Sequence, residues 1–433
     1  MPRVVVGFAE GEVEKVRAVA LAAFEEARAR HWPFLSDVLG RVLRGVPVQD
    51  AAVVAAVVQA LVKFDRLLAF AAGSEDAGAR LDALLALVRQ PPGEPSDLDA
   101  RIEAIEDVTE RRGVTFSFPD WLVALVEADL GAASIDAALS AMNDPAPRVA
   151  RVNALRTTRE ACVAALASEG VTAHPTAHAR AGIEIEGRSS PFRSEAFARG
   201  DFEVQDEASQ MVAELVAPPP GGLVVDACAG AGGKTLAIAA ALGGRGRVVA
   251  FDLAEAKLEE LRRRARRAGA SNVQALAIDL LAPAQAGSPL APFEGKAARV
   301  LVDAPCTGLG AIRRNPEVRW RLRPENVASL DEAQGRLLRV AASLVAPKGR
   351  IVYATCSFLR REGEAVFEDF LAADGRFDLV TARDVLGRAR SEAIATADGR
   401  YLRTWRFGLE PAPRMDGFFA AVARRKVPSP EGT

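Results

Sequence analysis

The stretch Leu223-Val224-Val225-Asp226-Ala227-Cys228-Ala229-Gly230-Ala231-Gly232-Gly233-Lys234-Thr235 decides how this chain is read. A short apolar run ends in an acid, passes through small residues and glycines, and continues into an apolar stretch of helical character, which spells strand, tight turn and helix. Glycines at such a turn let a ligand approach the backbone, and the start of the helix offers free N–H groups. Two well-known loops are excluded. The phosphate-binding pattern G-x-x-x-x-G-K-[ST] would need glycine where Cys228 stands, and a dinucleotide G-x-G-x-x-G starting at Gly230 would need glycine where Thr235 stands.

Outward from this turn, short Val/Ile-rich runs at residues 248–251, 273–278, 300–302 and 351–354 alternate with helical stretches at 234–242, 254–268 and 330–344. Continuous apolar runs of this length fit parallel strands covered on both faces, and the alternation predicts a doubly wound α/β sheet. Ligands of such sheets bind beyond the carboxyl ends of the strands, so the residues that follow each run are the candidates. Cys228, Ala229, Gly230, Ala231, Gly232, Gly233 and Lys234 follow the first. Asp252 ends the second, where an acid can accept from both hydroxyls of an adenosine ribose. Asp279 ends the third and can reach the adenine side. This ordered set points to an adenosine ligand, and the lack of a P-loop favours S-adenosylmethionine over ATP. The fourth run ends in Asp303-Ala304-Pro305-Cys306-Thr307-Gly308 and the fifth in Ala354-Thr355-Cys356-Ser357, which brings two thiols and a carboxyl to the same edge of the sheet.

The N-terminal part reads differently. Apolar positions repeat at three- and four-residue steps at residues 35–43, 53–70, 79–88 and 121–128, with breakers at Gly45-Val46-Pro47, Pro91-Pro92-Gly93 and Gly113. That pattern predicts a helical bundle over residues 1–143 with no reactive constellation. Asp144-Pro145-Ala146-Pro147 is a linker signal, and residues 144–220 mix short strands with helices at 158–169 and 207–216, a small α+β domain that ends at Pro218-Pro219-Pro220. Residues 221–433 hold the alternating sheet.

The chain has 433 residues, of which 49% are hydrophobic, enough for several cores. Its net charge of −2 hides an asymmetry: residues 1–145 sum to −9 and the remainder to +7, so a nucleic-acid partner belongs with the second part. Four unpaired cysteines, Cys162, Cys228, Cys306 and Cys356, argue against a disulfide framework or a zinc ribbon and fit a reducing cytoplasm. His174 and His178 have helical spacing but are separated by Pro175, so no metal site is expected. No apolar run is long enough to span a membrane.

Residues 228–235, 303–308 and 355–357 resemble the motifs of the RNA cytosine-5 methyltransferases of the Nop2/Sun superfamily. The whole chain resembles that superfamily's bacterial small-subunit ribosomal RNA branch, the RsmB family. Arg151-Val152-Asn153 and Gln205-Asp206-Glu207-Ala208-Ser209 resemble its intervening RNA-binding region, and Asp416-Gly417-Phe418-Phe419 its final strand. The resemblance implies a multi-domain fold: an N-terminal all-α NusB-like bundle, a small α+β RNA-binding domain and a C-terminal α/β Rossmann-like methyltransferase domain. It also implies that Cys356 is the nucleophile and Cys306 assists release. Carbon 5 of cytosine is too poor a nucleophile to attack a sulfonium methyl unaided, and a thiolate added at carbon 6 activates it. Asp303 suits the N3/amino edge of the ring. DNA cytosine-5 enzymes use the cysteine of their Pro-Cys motif, so Thr355-Cys356-Ser357 is what favours RNA. Arg313, Arg314, Arg319 and Arg321 beside Trp320 are expected to hold RNA phosphates and bases, and the cations at 262–267 to be solvated surface. The expected partner is ribosomal RNA, bound by a cytoplasmic monomer. Transfer RNA as substrate, or a non-catalytic RNA-binding assembly factor, are the alternatives.

Overall fold

The computed structural model of the chain describes residues 6, 8–90, 96–187, 190–282, 288–405 and 414–427. The described residues form two compact units, one within 6–146 together with 311–327, the other within 147–310, 328–405 and 414–427.

The first unit is helical. Its helices run Glu10–Ala29, Leu35–Val42, Val48–Lys63, Asp65–Ala72, Ala77–Arg89, Asp97–Glu103, Val108–Phe116, Asp120–Leu130 and Ile135–Ala141. The apolar stripes face one core that includes Phe24, Val57, Leu61, Leu68, Leu81 and Leu84. Asp76, Ser96 and Asp107 cap their helices by accepting from the N–H of Ala79, Asp99 and Glu110. The apolar stretch 53–70, expected as one helix, breaks at Phe64. The N–H of Arg66, left without an intrahelical partner in the new first turn, donates to Ser117 Oγ at 3.0 Å, which makes the break tolerable inside a core. The breaker Pro91-Pro92-Gly93 lies outside the described residues.

Residues 311–327 also belong to this unit, and this corrects the RNA-contact expectation for that segment. Arg319 is fully buried. Its Nη1 donates to Lys63 O, Ser117 O and Asn143 Oδ1 at 2.9, 3.1 and 2.9 Å, and its guanidinium lies over the Phe118 ring. Burial pushes its pKa down to about 9. Trp320 Nε1 donates to Val62 O, and its ring meets Trp32. Arg321 lies over Phe34, and Arg313 is buried. Arg314, Trp320 and Arg321 are half-buried. A fully buried guanidinium, held through Nη1 by two carbonyls and a side-chain amide oxygen, is not open to a phosphate on the surface.

The second unit holds two sheets. In the smaller, β1 (Val149–Val152), β2 (Ala173–Pro175), β3 (Gly182–Ile185) and β4 (Phe202–Val204) pair antiparallel in the order β2-β3-β1-β4, with the helix Arg159–Ser168 packed on them. β2 was not expected, because three residues ending in proline carry no strand signal. The motif residues Arg151, Asn153 and Gln205 are buried here. Arg151 Nε donates to Gln205 Oε1, and Asn153 Nδ2 bridges Gly200 O and Ala268 O. They fix this sheet to its surroundings rather than face solvent.

The larger sheet comprises β5 (Leu223–Asp226), β6 (Arg247–Asp252), β7 (Val273–Ala277), β8 (Ala297–Asp303), β9 (Val345–Thr355), β10 (Phe377–Val380), β11 (Leu402–Arg403) and β12 (Phe419–Arg425). The order is β10-β12-β9-β8-β5-β6-β7, with β11 paired to β12. β9, β8, β5, β6 and β7 are parallel, and β12, β10 and β11 add an antiparallel edge that the alternation had not announced. One face carries the helices Glu207–Val216, Gly233–Ala241 and Glu255–Ala268 on Val224, Val248, Leu301 and Val352. The other packs Leu338, Ala341, Phe367 and Phe370 on Val225, Val249, Val300 and Tyr353. Four cations of Glu255–Ala268 are engaged: Arg264 and Arg267 both hold Glu203, Arg262 meets Glu255, and Arg263 meets Glu260, while Arg266 is exposed. Among the described residues no helix is long and apolar enough to cross a membrane.

Arg319→Ala should therefore act on stability. Three acceptors lose their donor and a cavity opens, which costs about 3 kcal/mol or more. Calorimetric melting should show the loss. A variant that melts like the parent yet binds RNA more weakly would restore Arg319 to a surface role.

Candidate active site

Every sheet-borne candidate lies at the carboxyl edge of β5, β6, β7, β8 or β9 or in the loop that follows. After Asp226 the chain turns through Cys228–Ala231 with Gly230 and Gly232 at φ +54° and +85°, a region L side chains avoid. At Gly232 any side chain would also enter Leu261, whereas beside Gly230 there is open space. Gly232 then leads the helix Gly233–Ala241. Asp226 is buried. Its Oδ2 accepts from Thr235 Oγ1 at 2.7 Å, and burial pushes its pKa up to about 7. Cys228, largely enclosed, has its thiol raised by burial and by the Asp226 charge.

Asp252 sits at the end of β6, half-buried. Its Oδ2 accepts the Gly230 N–H at 2.8 Å and its Oδ1 the Ala254 N–H at 2.9 Å. It thus braces the glycine turn, and each oxygen keeps a second lone pair for a hydroxyl. Asp279, beyond β7, is exposed, and its Oδ1 accepts the Leu281 N–H. An open glycine turn flanked by two carboxylates suits a nucleoside with free ribose hydroxyls, so the residues present fit the adenosine of S-adenosylmethionine.

On the other side of Asp226, Lys234 reaches Asp303 with Nζ to Oδ2 at 2.6 Å, and its ammonium lies 4.8 Å from the Phe418 ring centroid. Burial alone would lower this lysine. The charge of Asp303, its hydrogen bond and the nearby Cys356 reverse the balance and hold it above its ordinary value. Cys306 and Cys356 meet with their Sγ atoms 3.3 Å apart. The contact with Cys356, helped by burial, drives the Cys306 thiol well above its usual range. Of the two thiols, Cys356 is the one whose charge acts on the Lys234 ammonium.

What holds the two cysteine loops together was not visible in the sequence. Glu362 is fully buried: Oε1 accepts from Thr307 N at 2.8 Å and Gln334 Nε2 at 3.0 Å, and Oε2 from Thr307 Oγ1 at 2.6 Å. Gln334 Nε2 also donates to Pro305 O, and Tyr353 OH donates to the Glu362 carbonyl. Ser357 accepts from Leu359 N and meets Thr307 Oγ1 at 3.3 Å. Gly310 N donates to Cys356 O, and Gly417 N to Gly310 O. A side chain at Gly310 would collide with the Gly417 carbonyl. One available signal was the acid in Arg360-Arg361-Glu362-Gly363, close behind the Cys356 motif, which reads as surface unless its burial is known. Among the described residues no group of His, Cys, Asp and Glu could hold a metal, and His174 stands exposed beside Glu186.

The family profile described as "16S rRNA methyltransferase RsmB/F" matches residues 213–424, and the profile "Methyltr_RsmF/B-like, ferredoxin-like domain" matches residues 118–190. The second begins well upstream of the linker at 144–147, within helices of the first unit. A protein of Bacillus subtilis named "Probable ribosomal RNA small subunit methyltransferase B" is 30% identical over 330 residues, 75% of this chain and 70% of that one. A protein of Synechocystis with the same name is 34% identical over 260 residues, 60% of this chain and 57% of that relative's length. The crystal structure of the protein designated PH0851 superposes with a TM-score of 0.76 at 24% identity, covering 97% of this chain and 100% of that one, a likeness of fold.

The buried Asp226 makes a signed prediction. Its carboxyl holds a proton in the folded chain up to about pH 7, whereas unfolded it releases it near the ordinary aspartate value of about 4. The folded state then binds more protons across that window, so this group's contribution to stability falls as pH rises from about 4 to 7 and levels off above. Asp226→Asn should remove that component of the slope in denaturant midpoints measured across the window. An unchanged slope would mean that Asp226 is ionised in the folded protein.

Proposed function

The chain belongs to the RsmB/F family of ribosomal RNA methyltransferases, and from that premise we propose that it methylates carbon 5 of a cytosine in small-subunit ribosomal RNA through a covalent bond to Cys356. The observation that carries the reading is the thiol pair Cys306–Cys356, 3.3 Å apart beside the Lys234–Asp303 ion pair at the edge of the sheet. S-adenosylmethionine is the cofactor and supplies the methyl group as a sulfonium. Residues 228–234, with Asp252 on the ribose and Asp279 towards the adenine, hold it.

The chain's own residues then do the following. The Lys234 ammonium favours the Cys356 thiolate, which adds to carbon 6 of the cytosine. The S–C6 bond forms and the ring electrons move to carbon 5, while Asp303 hydrogen-bonds the N3/amino edge where charge develops. Carbon 5 takes the methyl group. Its proton then passes to solvent, and the C6–S bond breaks with its electron pair returning to sulfur. The Cys306 thiol, 3.3 Å from Cys356, donates a hydrogen bond to that departing sulfur. Such chemistry requires the target base out of its stack. The helical unit is NusB-like and selects the RNA rather than reacting with it, and the enzyme works in the cytoplasm.

Two measurements test this. Incubated with substrate RNA and S-adenosylmethionine, Cys356→Ala should transfer no label. Cys306→Ala should stall as a protein–RNA adduct that survives denaturing electrophoresis, and the double variant should give none. An adduct in Cys356→Ala but not in Cys306→Ala would reverse the roles of the two thiols. Asp252→Ala should weaken S-adenosylmethionine binding by about ten- to a hundredfold, since about 1.5–3 kcal/mol of charge-assisted hydrogen bonding to the ribose is lost. An unchanged dissociation constant in calorimetric titration would take Asp252 out of the site.

A further inference from the structure

At the end of the large sheet opposite the cysteines, arginines stand in register on neighbouring strands. Arg299 of β8 pairs with Arg350 of β9, and Arg350 pairs with Arg424 of β12. Directly paired residues share a face of the sheet, so three guanidinium-bearing side chains line up across three adjacent strands. Like charges in directly opposed positions destabilise a sheet. Arg299 uses its Nε on Val216 O and Ala217 O, and its pKa is pushed down to about 10 by burial and by the Arg350 charge. Arg350 and Arg424 have no carboxylate or carbonyl partner among the described residues.

The chain adds cations to the same place. Between the pairs Ala297↔Val345 and Arg299↔Arg350, β9 carries extra residues that loop out, and Lys348 within that excursion adopts φ +64°. A lysine in the left-handed region is a strained choice where glycine is the ordinary one. Lys348, Arg425 and Lys426 join the three arginines around a concavity of about 500 Å³, where Asp378, 3.3 Å from Lys426, is the one acid in the lining. A row of opposed cations with a strained lysine at its rim is what an array of phosphates would neutralise.

We infer that this basic concavity binds the sugar–phosphate backbone of the substrate RNA at a segment remote from the target cytosine. Arg350 stands five residues before Thr355 on β9, about 17 Å along the strand, so nucleotides at the reacting edge do not reach it. The inference rests on RNA being the substrate, and it assigns part of the binding energy to a surface that takes no part in the chemistry.

The test compares the parent with Arg350→Gln/Arg424→Gln on two RNAs: a small-subunit ribosomal RNA transcript and the shortest cytosine-bearing oligonucleotide the parent methylates. For the transcript, the dissociation constant should rise about tenfold, and the slope of log affinity against log salt should shrink by about 2, one for each phosphate contact. Binding of the oligonucleotide, its turnover and S-adenosylmethionine affinity should stay as in the parent. The melting temperature of the free variant at low salt should hold or rise, because mutual repulsion is relieved. Unchanged transcript affinity and salt slope would overturn the inference and leave the concavity for an acidic protein partner. Equal weakening of both RNAs, or a fall in melting temperature matching the loss, would overturn it as well. A parent that methylates neither RNA would instead defeat the proposed function, which separates the two failures.

Discussion

The buried carboxylate of Glu362 is the constraint on which the reacting edge depends. It takes three hydrogen bonds from Thr307 and Gln334, and through them the loop after β8 is tied to the turn after β9. A carboxylate in a core is costly unless its oxygens are engaged, and here both are, which makes the arrangement rigid as well as tolerable. Without it the two thiols would be carried by independent loops, and their separation would be set by chance. The backbone contacts among Cys356, Gly310 and Gly417 serve the same end from the other side. A buried polar network and a glycine-to-glycine approach therefore do the positioning, and the residues named in the chemistry are its beneficiaries.

Electrostatics divides the sheet by its ends. At the carboxyl edge, Lys234 is paired with Asp303 and has Cys356 nearby, while Asp226 and Asp252 add acids to the same edge. At the far end the cations outnumber the acids around a single concavity. The net positive charge of the second part of the chain is thus distributed unevenly, and part of what the segment around Trp320 carries, Arg313 and Arg319, is buried.

The alternation of short apolar runs with helices made the parallel sheet legible from the sequence, because that pattern follows directly from burial on both faces. The glycine turn was equally legible, since positive φ at Gly230 and Gly232, with close packing at Gly232, leaves few other residues possible there. The meeting of Cys306 with Cys356 followed from strand ends alone. Other features needed the third dimension. Residues 311–327 leave the sheet after the Cys306 loop and pack with helices far earlier in the chain, so Arg319 and Trp320 read as surface cation and stacking aromatic while serving as core. Glu362, preceded by arginines close behind the Cys356 motif, reads as surface, because a buried acid and a solvated one look alike in sequence. The register that aligns Arg299, Arg350 and Arg424 is likewise a property of pairing between strands.

The central claim is that Cys356 bonds to carbon 6 of the target cytosine. Replacing the hydrogen on carbon 5 of that cytosine by fluorine removes the proton that must leave before the sulfur can, so the adduct formed by the unmodified enzyme should persist. Digestion of that adduct and mass spectrometry of the cross-linked peptide reads the attached residue directly. The account predicts a methylated fluorocytidine on the peptide that contains Cys356. A nucleotide on the Cys306 peptide, or no covalent product from an RNA whose unfluorinated form is methylated, would contradict it.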